Sequence, residues 1–569
     1  MQPDAITRDT SCMDFNSTTP GKTMDRRTFL KTTAGACRLD GWPSGTEAGV
    51  YTDLDKKEDV KILHGMGYAQ ELDRRMGRFS NFAISFSIIC IMSGGINSLA
   101  QAMSGAGGAG VGLGWPLGCT ISGVFALALA QISSAYPTAG GLYHWGSILG
   151  NRFAGWLTAW LNLLTWITGL GAINVGTWTF FEGAFPFFGI DNNNMTQTIF
   201  LIIITGGMAL INHLGIRLTA RLTDFSGYLI FGSAVALTIV CLFAAPSWDL
   251  SRLWTFANYS GQPTVATDGS LTGDPVWPSV SGLWVFLLGL LLPIYTIAGY
   301  DASAHTSEET QKAAHSAPRG IVHSVWWSAV FGWLMLCAFV LMIPNMDDAA
   351  KQGWNVFFWA MDECVNVIVK DVLYVAILVS QLLCGLAIVT SASRMIFAFS
   401  RDGGLPASRV LAKVSPQYRT PVAAIWTASI LSVLFVWGSS IVSVAGTSAY
   451  TIVVSCATIF MFLSYFVPVA LAFFAHGTPK WQRIGPWDLG RNWFKIVCVL
   501  SLISMVLIFF IGIQPPNDWA LYITVGFLVL TAIVWFVFEN WRFKGPPLGE
   551  RIAKRQAEIA AAETAVGEI

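Results

Sequence analysis

Apolar runs, rather than alternating or helical amphipathic patterns, dominate the chain from about residue 80 to residue 538. Each run is nearly free of charge and about 20 residues long, the length a helix needs to cross the ~30 Å hydrocarbon core of a bilayer. Backbone polar groups in lipid must be paired within the segment, so the runs are helices. An outer-membrane barrel would instead show alternating segments of about ten residues. Twelve spans are predicted, at 80–103, 114–135, 153–180, 196–213, 224–245, 281–303, 321–343, 372–399, 421–438, 444–474, 495–513 and 519–538. The fold expected is all-α and polytopic. A polar, irregular tail (1–65) precedes a membrane domain (66–540), and a charged, Ala/Glu-rich tail (541–569) follows it and reads as a helix outside the membrane.

Composition narrows the class. Hydrophobic residues make up 53% of the 569 positions and charged residues 12%, half of the roughly 25% typical of soluble chains. Lys+Arg and Asp+Glu both number 34, so net charge points to no nucleic acid or other charged partner. Charge placement is more informative. The loops after spans 2, 4, 6, 8 and 10 hold thirteen lysines and arginines, against Arg252, Lys351 and Lys370 in the other loops. The positive-inside rule then puts both termini in the cytoplasm of a multi-pass plasma (inner) membrane protein. Arg74, Arg75 and Arg78 beside span 1 agree.

Two motifs are set aside. DRRTFLK (25–31) looks like a twin-arginine export signal, but the TTAGACRLDGWPSG that follows is too polar. GAGGAG (105–110) matches GxGxxG, but no strand precedes it, so it reads as a flexible external loop. The ten cysteines form no CxxC pair and the seven histidines show no metal-ligand spacing, so no metal and no cofactor is expected. The chain has no GxxxxGK[ST] motif of an ATP-driven pump and no nucleophile–base cluster at membrane depth, so no enzyme is expected.

Two spans are interrupted. Span 1 carries Ser93-Gly94-Gly95 at its middle, and span 6 carries Pro293 and then Gly299-Tyr300-Asp301. Interruptions in corresponding positions of two halves point to the binding site of an inverted-repeat transporter. Unwound backbone exposes N–H groups that suit a carboxylate and C=O groups that suit an ammonium or a cation. One pair of breaks can therefore hold the zwitterionic head of an amino acid.

Several strings resemble the amino acid–polyamine–organocation (APC) permeases: YPTAGGLYHW (136–145), GYDASAHTSEE (299–309) and SASRMIFAFSRDGGLP (391–406). GRFSNFAISFSIICIMSGGI (77–96) is most similar to the branch with GABA and choline permeases. The resemblance implies a five-plus-five inverted repeat (about 80–245 and 281–474) with broken helices 1 and 6 and two extra helices (495–538). It implies secondary active import of an amino acid or related amine by alternating access, usually with a proton. Sodium coupling, a choline or polyamine substrate, and a nutrient sensor on a transporter scaffold are the alternatives. Carried over by position, the substrate site comprises Ser93, Gly94, Gly95, Ile96, Ile297, Ala298, Gly299 and Tyr300, with Tyr300 capping or gating the pocket.

Two sets of residues compete for the coupling ion. Ala387, Thr390 and Ser391 lie on one face of span 8, a spacing that resembles the second sodium site of related sodium-coupled transporters. Some proton-coupled relatives fill that place with a lysine from span 5, and span 5 here has none. Asp301 is the intramembrane acid best placed to carry a proton. Glu308 and Glu309 read as gate or loop-pairing residues, with Arg78 and Arg394 as candidate partners.

Overall fold

The computed structural model describes residues 51–265, 270–441, 449–481, 483–547 and 549–566. Among the described residues, eleven helices are long and apolar enough to cross a membrane, from Arg78–Asn97 to Trp519–Arg542. The remaining expected span, Gly282–Thr296, is apolar but shorter, because the chain unwinds after it. No strand forms among the described residues, only the isolated bridges Met76–Thr310 and Thr264–Gly273.

The predicted spans sit where helices form, and several extend past their apolar windows. Span 5 begins at Ile216 rather than 224, and span 8 runs Val367–Arg401. Arg217 and Arg221 occupy such an end turn, where long side chains carry their charge out of the apolar layer. Asn151, Asn193, Ser281 and Asn366 start spans 3, 4, 6 and 8, each side chain accepting a first-turn backbone N–H.

Spans 1 and 6 pack against each other in halves. Gly94–Asn97 and Leu99–Met103 lie against Leu291–Thr296, while Arg78–Ile89 lies against Ala302–His305. Span 3 (Arg152–Ala184) packs on span 8 and on span 10 (Ala449–Ala475), and span 8 also packs on span 1. The two breaks are thereby enclosed by long unbroken helices.

Two peripheral regions differ from expectation. The glycine-rich run is not a flexible loop: Gly108–Gly112 is a buried helix. The 5–6 loop lies on it so closely that a Cβ at Gly108 or Gly112 would fall 2.1 Å from the carbonyl oxygen of Arg252 or Leu253. Glycine is used there for close approach, a role that its motif spacing does not encode. Part of the segment expected to be an irregular tail is also helical, at Asp53–Gly65, with a Thr52–Asp55 capping box. Its buried Asp59 accepts the Lys312 and Ala313 amides at the start of span 7. The anchoring is polar, so no apolar periodicity announces it. Residues 1–50 and the export-signal look-alike lie outside the described residues.

Candidate functional site

The break in span 1 falls just before the glycine pair. Helix Arg78–Ile89 ends at Cys90, which is left-handed (φ +33°), and helix resumes at Gly94. Gly94 serves contact rather than unwinding, since a Cβ there would lie 2.9 Å from Thr296 Cα of span 6. Gly95 has room for one, its nearest neighbour being Met335 Cε at 3.7 Å. Among the described residues the amides of Gly95 and Ile96 take no backbone acceptor, so these first-turn donors can meet an anion.

In span 6, Leu291–Thr296 stops, Ile297 to Asp301 carry the break, and Ala302–His305 continues. Gly299 is left-handed at φ +80°, and a Cβ there would sit 2.4 Å from Ile88 Cγ2. Both conditions require glycine. The Gly299 break therefore rests directly on the last turn of the first half of span 1.

A narrow cavity of about 40 Å³ lies between the breaks. Ile88, Ile89 and Gly94 of span 1 and Tyr295, Thr296 and Ala298 of span 6 form two walls. Thr165, Trp166, Gly169 and Ile173 of span 3, Ile388 of span 8, and Ala457, Thr458 and Met461 of span 10 complete it. Of the expected binding residues, Gly94 and Ala298 line this space. Ser93, Gly95, Ile96, Ile297 and Gly299 lie in or beside the two breaks, at the margin of its walls. Tyr300 turns away, its hydroxyl donating to the Ser122 carbonyl at 3.2 Å and its ring packing on Tyr465 at 5.3 Å. The aromatic rings at the cavity are Trp166 and Tyr295.

Asp301 is fully buried in a hydrogen-bonded cluster beside Trp166. Its Oδ1 accepts the Tyr465 hydroxyl at 2.7 Å, and its Oδ2 accepts the Asn162 amide at 3.2 Å and meets His305 Nε2 at 3.2 Å. Trp166 Nε1–H donates to Asn162 Oδ1 at 3.1 Å, and its ring meets the His305 ring edge-on at 5.6 Å. Trp166 therefore touches both the cavity and the acid cluster. His305, Asn162 and Tyr465 were not singled out from sequence as partners of Asp301. The i,i+4 spacing of Asp301 and His305 was the available signal.

The span-8 triplet is engaged elsewhere. Thr390 Oγ1 donates to Asn212 Oδ1 of span 4 at 2.8 Å, and Ser391 Oγ donates back to the Ala387 carbonyl at 3.3 Å. Span 8 meets the broken part of span 1 through Cys384 Sγ, 3.4 Å from the Ile88 carbonyl, through the Ser380 carbonyl, which meets Cys90 Sγ, and through Gln381, whose amide donates to the Met92 carbonyl at 3.5 Å and accepts from Asn97 at 3.4 Å. The structure thus keeps Ala387, Thr390 and Ser391 together but turns the hydroxyls of Thr390 and Ser391 to spans 4 and 8.

The end of the bundle that carries residues 51–76 and 549–566 is closed by two buried ion pairs. Arg394 holds Glu309 through Nε at 2.9 Å and Nη2 at 2.7 Å. Arg401 holds Glu308 at 3.0 and 2.8 Å. Glu308 thus pairs with Arg401, which span 8 reaches by running two residues past its apolar window. Burial acts to raise the Glu308 carboxyl, but the Arg401 guanidinium and the Ala139 amide outweigh it and hold it below the ordinary carboxylate range. Residues 68–76 are threaded over these pairs. Gln70 donates to the Glu308 carbonyl, Arg74 donates to the Ser307 and Thr310 carbonyls, and Glu563 accepts from the Gln70 amide.

The profile of the amino acid permease family matches residues 76–538. Amino-acid permease BAT1 of Arabidopsis thaliana is 30% identical over 511 residues, covering 85% of this chain and 95% of that protein. Its homolog in Oryza sativa subsp. japonica is 29% identical, covering 85% and 94%. The GABA-specific permease of Saccharomyces cerevisiae is 25% identical, covering 88% and 89%.

Proposed function

The chain belongs to the amino acid permease family, a family of membrane transporters rather than enzymes, and on that premise we propose that it imports amino acids with uncharged side chains, driven by protons. The observation that carries the reading is the cavity enclosed by both helix breaks, with a buried acid cluster sharing its Trp166 wall. Among the described residues that line the cavity, the broken backbone supplies the polar surface for a zwitterionic head. The remaining lining among the described residues is Ile, Met, Ala, Gly, Thr, Trp and Tyr, with no carboxylate, ammonium or guanidinium. A charged substrate side chain would be desolvated there without a partner, at a cost of several kcal/mol. Aliphatic α-amino acids fit this chemistry. GABA, named for the yeast relative, belongs to the same class of zwitterions with an otherwise apolar body. Polyamines lack the carboxylate that the span-1 amides would hold.

Asp301 is the coupling group in this reading, because its cluster adjoins the cavity while the hydroxyls of Thr390 and Ser391 are committed to Asn212 and Ala387. In proteoliposomes, an inward proton gradient is expected to drive accumulation of leucine or GABA. Arginine, glutamate and putrescine should compete at least ten-fold more weakly. Asp301→Asn should abolish gradient-driven accumulation and leave exchange of unlabelled for labelled substrate. Accumulation driven by a sodium gradient with no proton gradient would reject proton coupling and return Thr390 and Ser391 to the site.

The thirteen-to-three charge asymmetry supports a plasma-membrane orientation in which the face closed by Glu308 and Glu309 is cytoplasmic. A reporter active only outside the cytoplasm, fused after Ile569, is expected to be silent. A strong signal would reverse the orientation.

A further inference from the structure

We propose that His305 shares the transported proton with Asp301, and that Ala139 ties this pair to the Glu308–Arg401 gate. The inference rests on the proton-coupled reading above and adds to it the proton's second carrier and the gate it controls.

Hydrogen-bond chemistry places the proton. His305 Nδ1 lies 2.9 Å from the Ala139 carbonyl. A carbonyl only accepts, so Nδ1 carries a hydrogen. Nε2 faces Asp301 Oδ2 at 3.2 Å. With the first hydrogen on Nδ1, a neutral ring would present a lone pair at Nε2 to a carboxylate oxygen, which is repulsive. The contact therefore contains a second hydrogen, on the ring or on the carboxyl, and the two groups share it. The neighbours fix the remaining geometry. Trp166 Nε1–H can only donate, so it holds Asn162 Oδ1 and leaves the Asn162 amide nitrogen for Asp301.

The other titratable groups near the pair are few among the described residues. Tyr300 and Tyr465 face Asp301 from spans 6 and 10. His144 stands at Gly140 and bonds Tyr68, with Asp402 at 3.4 Å. Glu308 lies beyond Ala139, paired with Arg401.

Ala139 connects the pair to the gate. Its carbonyl receives His305 Nδ1–H, and its amide donates to Glu308 Oε1 at 3.1 Å. The loop is pressed against the imidazole: Gly141 has φ +43°, and a Cβ there would be 3.2 Å from His305 Cε1. When the proton passes to water on the gate side, the Asp301–His305 unit falls from net neutral to one negative charge. No other bond is made or broken. The contact between ring and carboxylate then turns repulsive, the ring shifts, and the Ala139 amide withdraws from Glu308. Proton release and opening of the Glu308–Arg401 pair become one event.

Two substitutions divide the functions of the ring. The amide nitrogen of His305→Asn takes the place of Nδ1 and keeps the Ala139 bond, while Nε2 is lost. In proteoliposomes the native protein is expected to accumulate substrate on a proton gradient. His305→Asn should lose at least ten-fold of that accumulation and keep exchange within about three-fold. Its exchange should no longer vary with pH. Native-like accumulation in His305→Asn overturns the inference and leaves Asp301 coupling standing. A native protein that follows sodium alone overturns both. A second measurement does not depend on that variant folding. Ser307→Cys is buried at the gate, and its labelling by an impermeant maleimide, read by peptide mass spectrometry and divided by that of an exposed reference cysteine at the same pH to remove the effect of thiol ionisation, should rise several-fold as pH is raised. Labelling that ignores pH overturns the link between proton and gate.

Discussion

Arg394→Met is expected to lower the thermal stability of the detergent-solubilised protein by more than any other single change in the gate. The guanidinium is fully buried against Glu309, with two hydrogen bonds at 2.7 and 2.9 Å and a third donated to Ser393 Oγ. Removing one partner leaves an uncompensated buried carboxylate, at a cost of about 3–5 kcal/mol. That is a large share of the 5–15 kcal/mol that separates folded from unfolded states in proteins generally. The double variant Arg394→Met with Glu309→Met removes both charges and should recover most of the loss, because an apolar pair of similar volume avoids the desolvation term. Melting curves of the two singles and the double close the cycle. Equal destabilisation in Arg394→Met and in the double variant would mean that the arginine acts through packing and not through its charge.

The same cycle bears on the gate. If the pair is a lock rather than a strut, the double variant should be stable yet leak, exchanging substrate without regard to pH. Glu308 and Arg401 stand one residue and two turns away, with Arg401 also stacked on Tyr68 at 3.9 Å. Tyr68 donates to Asp402 at 2.6 Å, and Arg555 of the C-terminal segment reaches the same carboxylate at 3.6 Å. The lock is thus built from both terminal segments as well as from spans 6 and 8.

What could be seen in the sequence follows from how local each signal is. Membrane spans are local, since a charge-free run of the right length has few alternatives in lipid, and the predicted segments correspond to the helices found, with 444–448 of span 10 outside the described residues. The broken spans were legible because glycine pairs and a mid-span proline are poor helix formers. Their detail was not: the unwinding sits at Cys90–Ser93, and Gly94 is glycine because Thr296 presses on it. That reason lies in another span and leaves no local trace. The orientation of Tyr300 toward Ser122 was hidden for the same reason, since a Gly-aromatic pair fixes where the chain unwinds and not which way the ring turns. His305 shows no metal-ligand spacing, and one of its two partners, the Ala139 carbonyl in the 2–3 loop, leaves no trace near it in the sequence. The helix Asp53–Gly65 was missed because its docking is made by Asp59 on two backbone amides, and polar docking has no hydropathy signature.

The glycines of the two breaks give the sharpest test of that distinction between local and tertiary causes. Gly299→Ala is expected to reduce substrate uptake by about two orders of magnitude. A left-handed backbone costs an L-residue roughly 1–2 kcal/mol, and overpacking in a tight interior adds about 1–3 kcal/mol. Here the added methyl would lie 2.4 Å from Ile88 Cγ2, an atom on a residue that lines the cavity. Combining Gly299→Ala with Ile88→Ala should restore the steric share and leave the backbone share, so recovery should be partial. Gly94→Ala should be nearly as damaging, because its methyl meets Thr296 Cα, backbone that cannot rotate away. Gly95→Ala should change uptake less than two-fold, since its nearest neighbour is a methionine methyl at ordinary contact distance. If instead Gly95→Ala were as harmful as Gly94→Ala, the glycine pair would be needed for backbone freedom during transport. The close approach of spans 1 and 6 would then not be the reason that both positions are glycine.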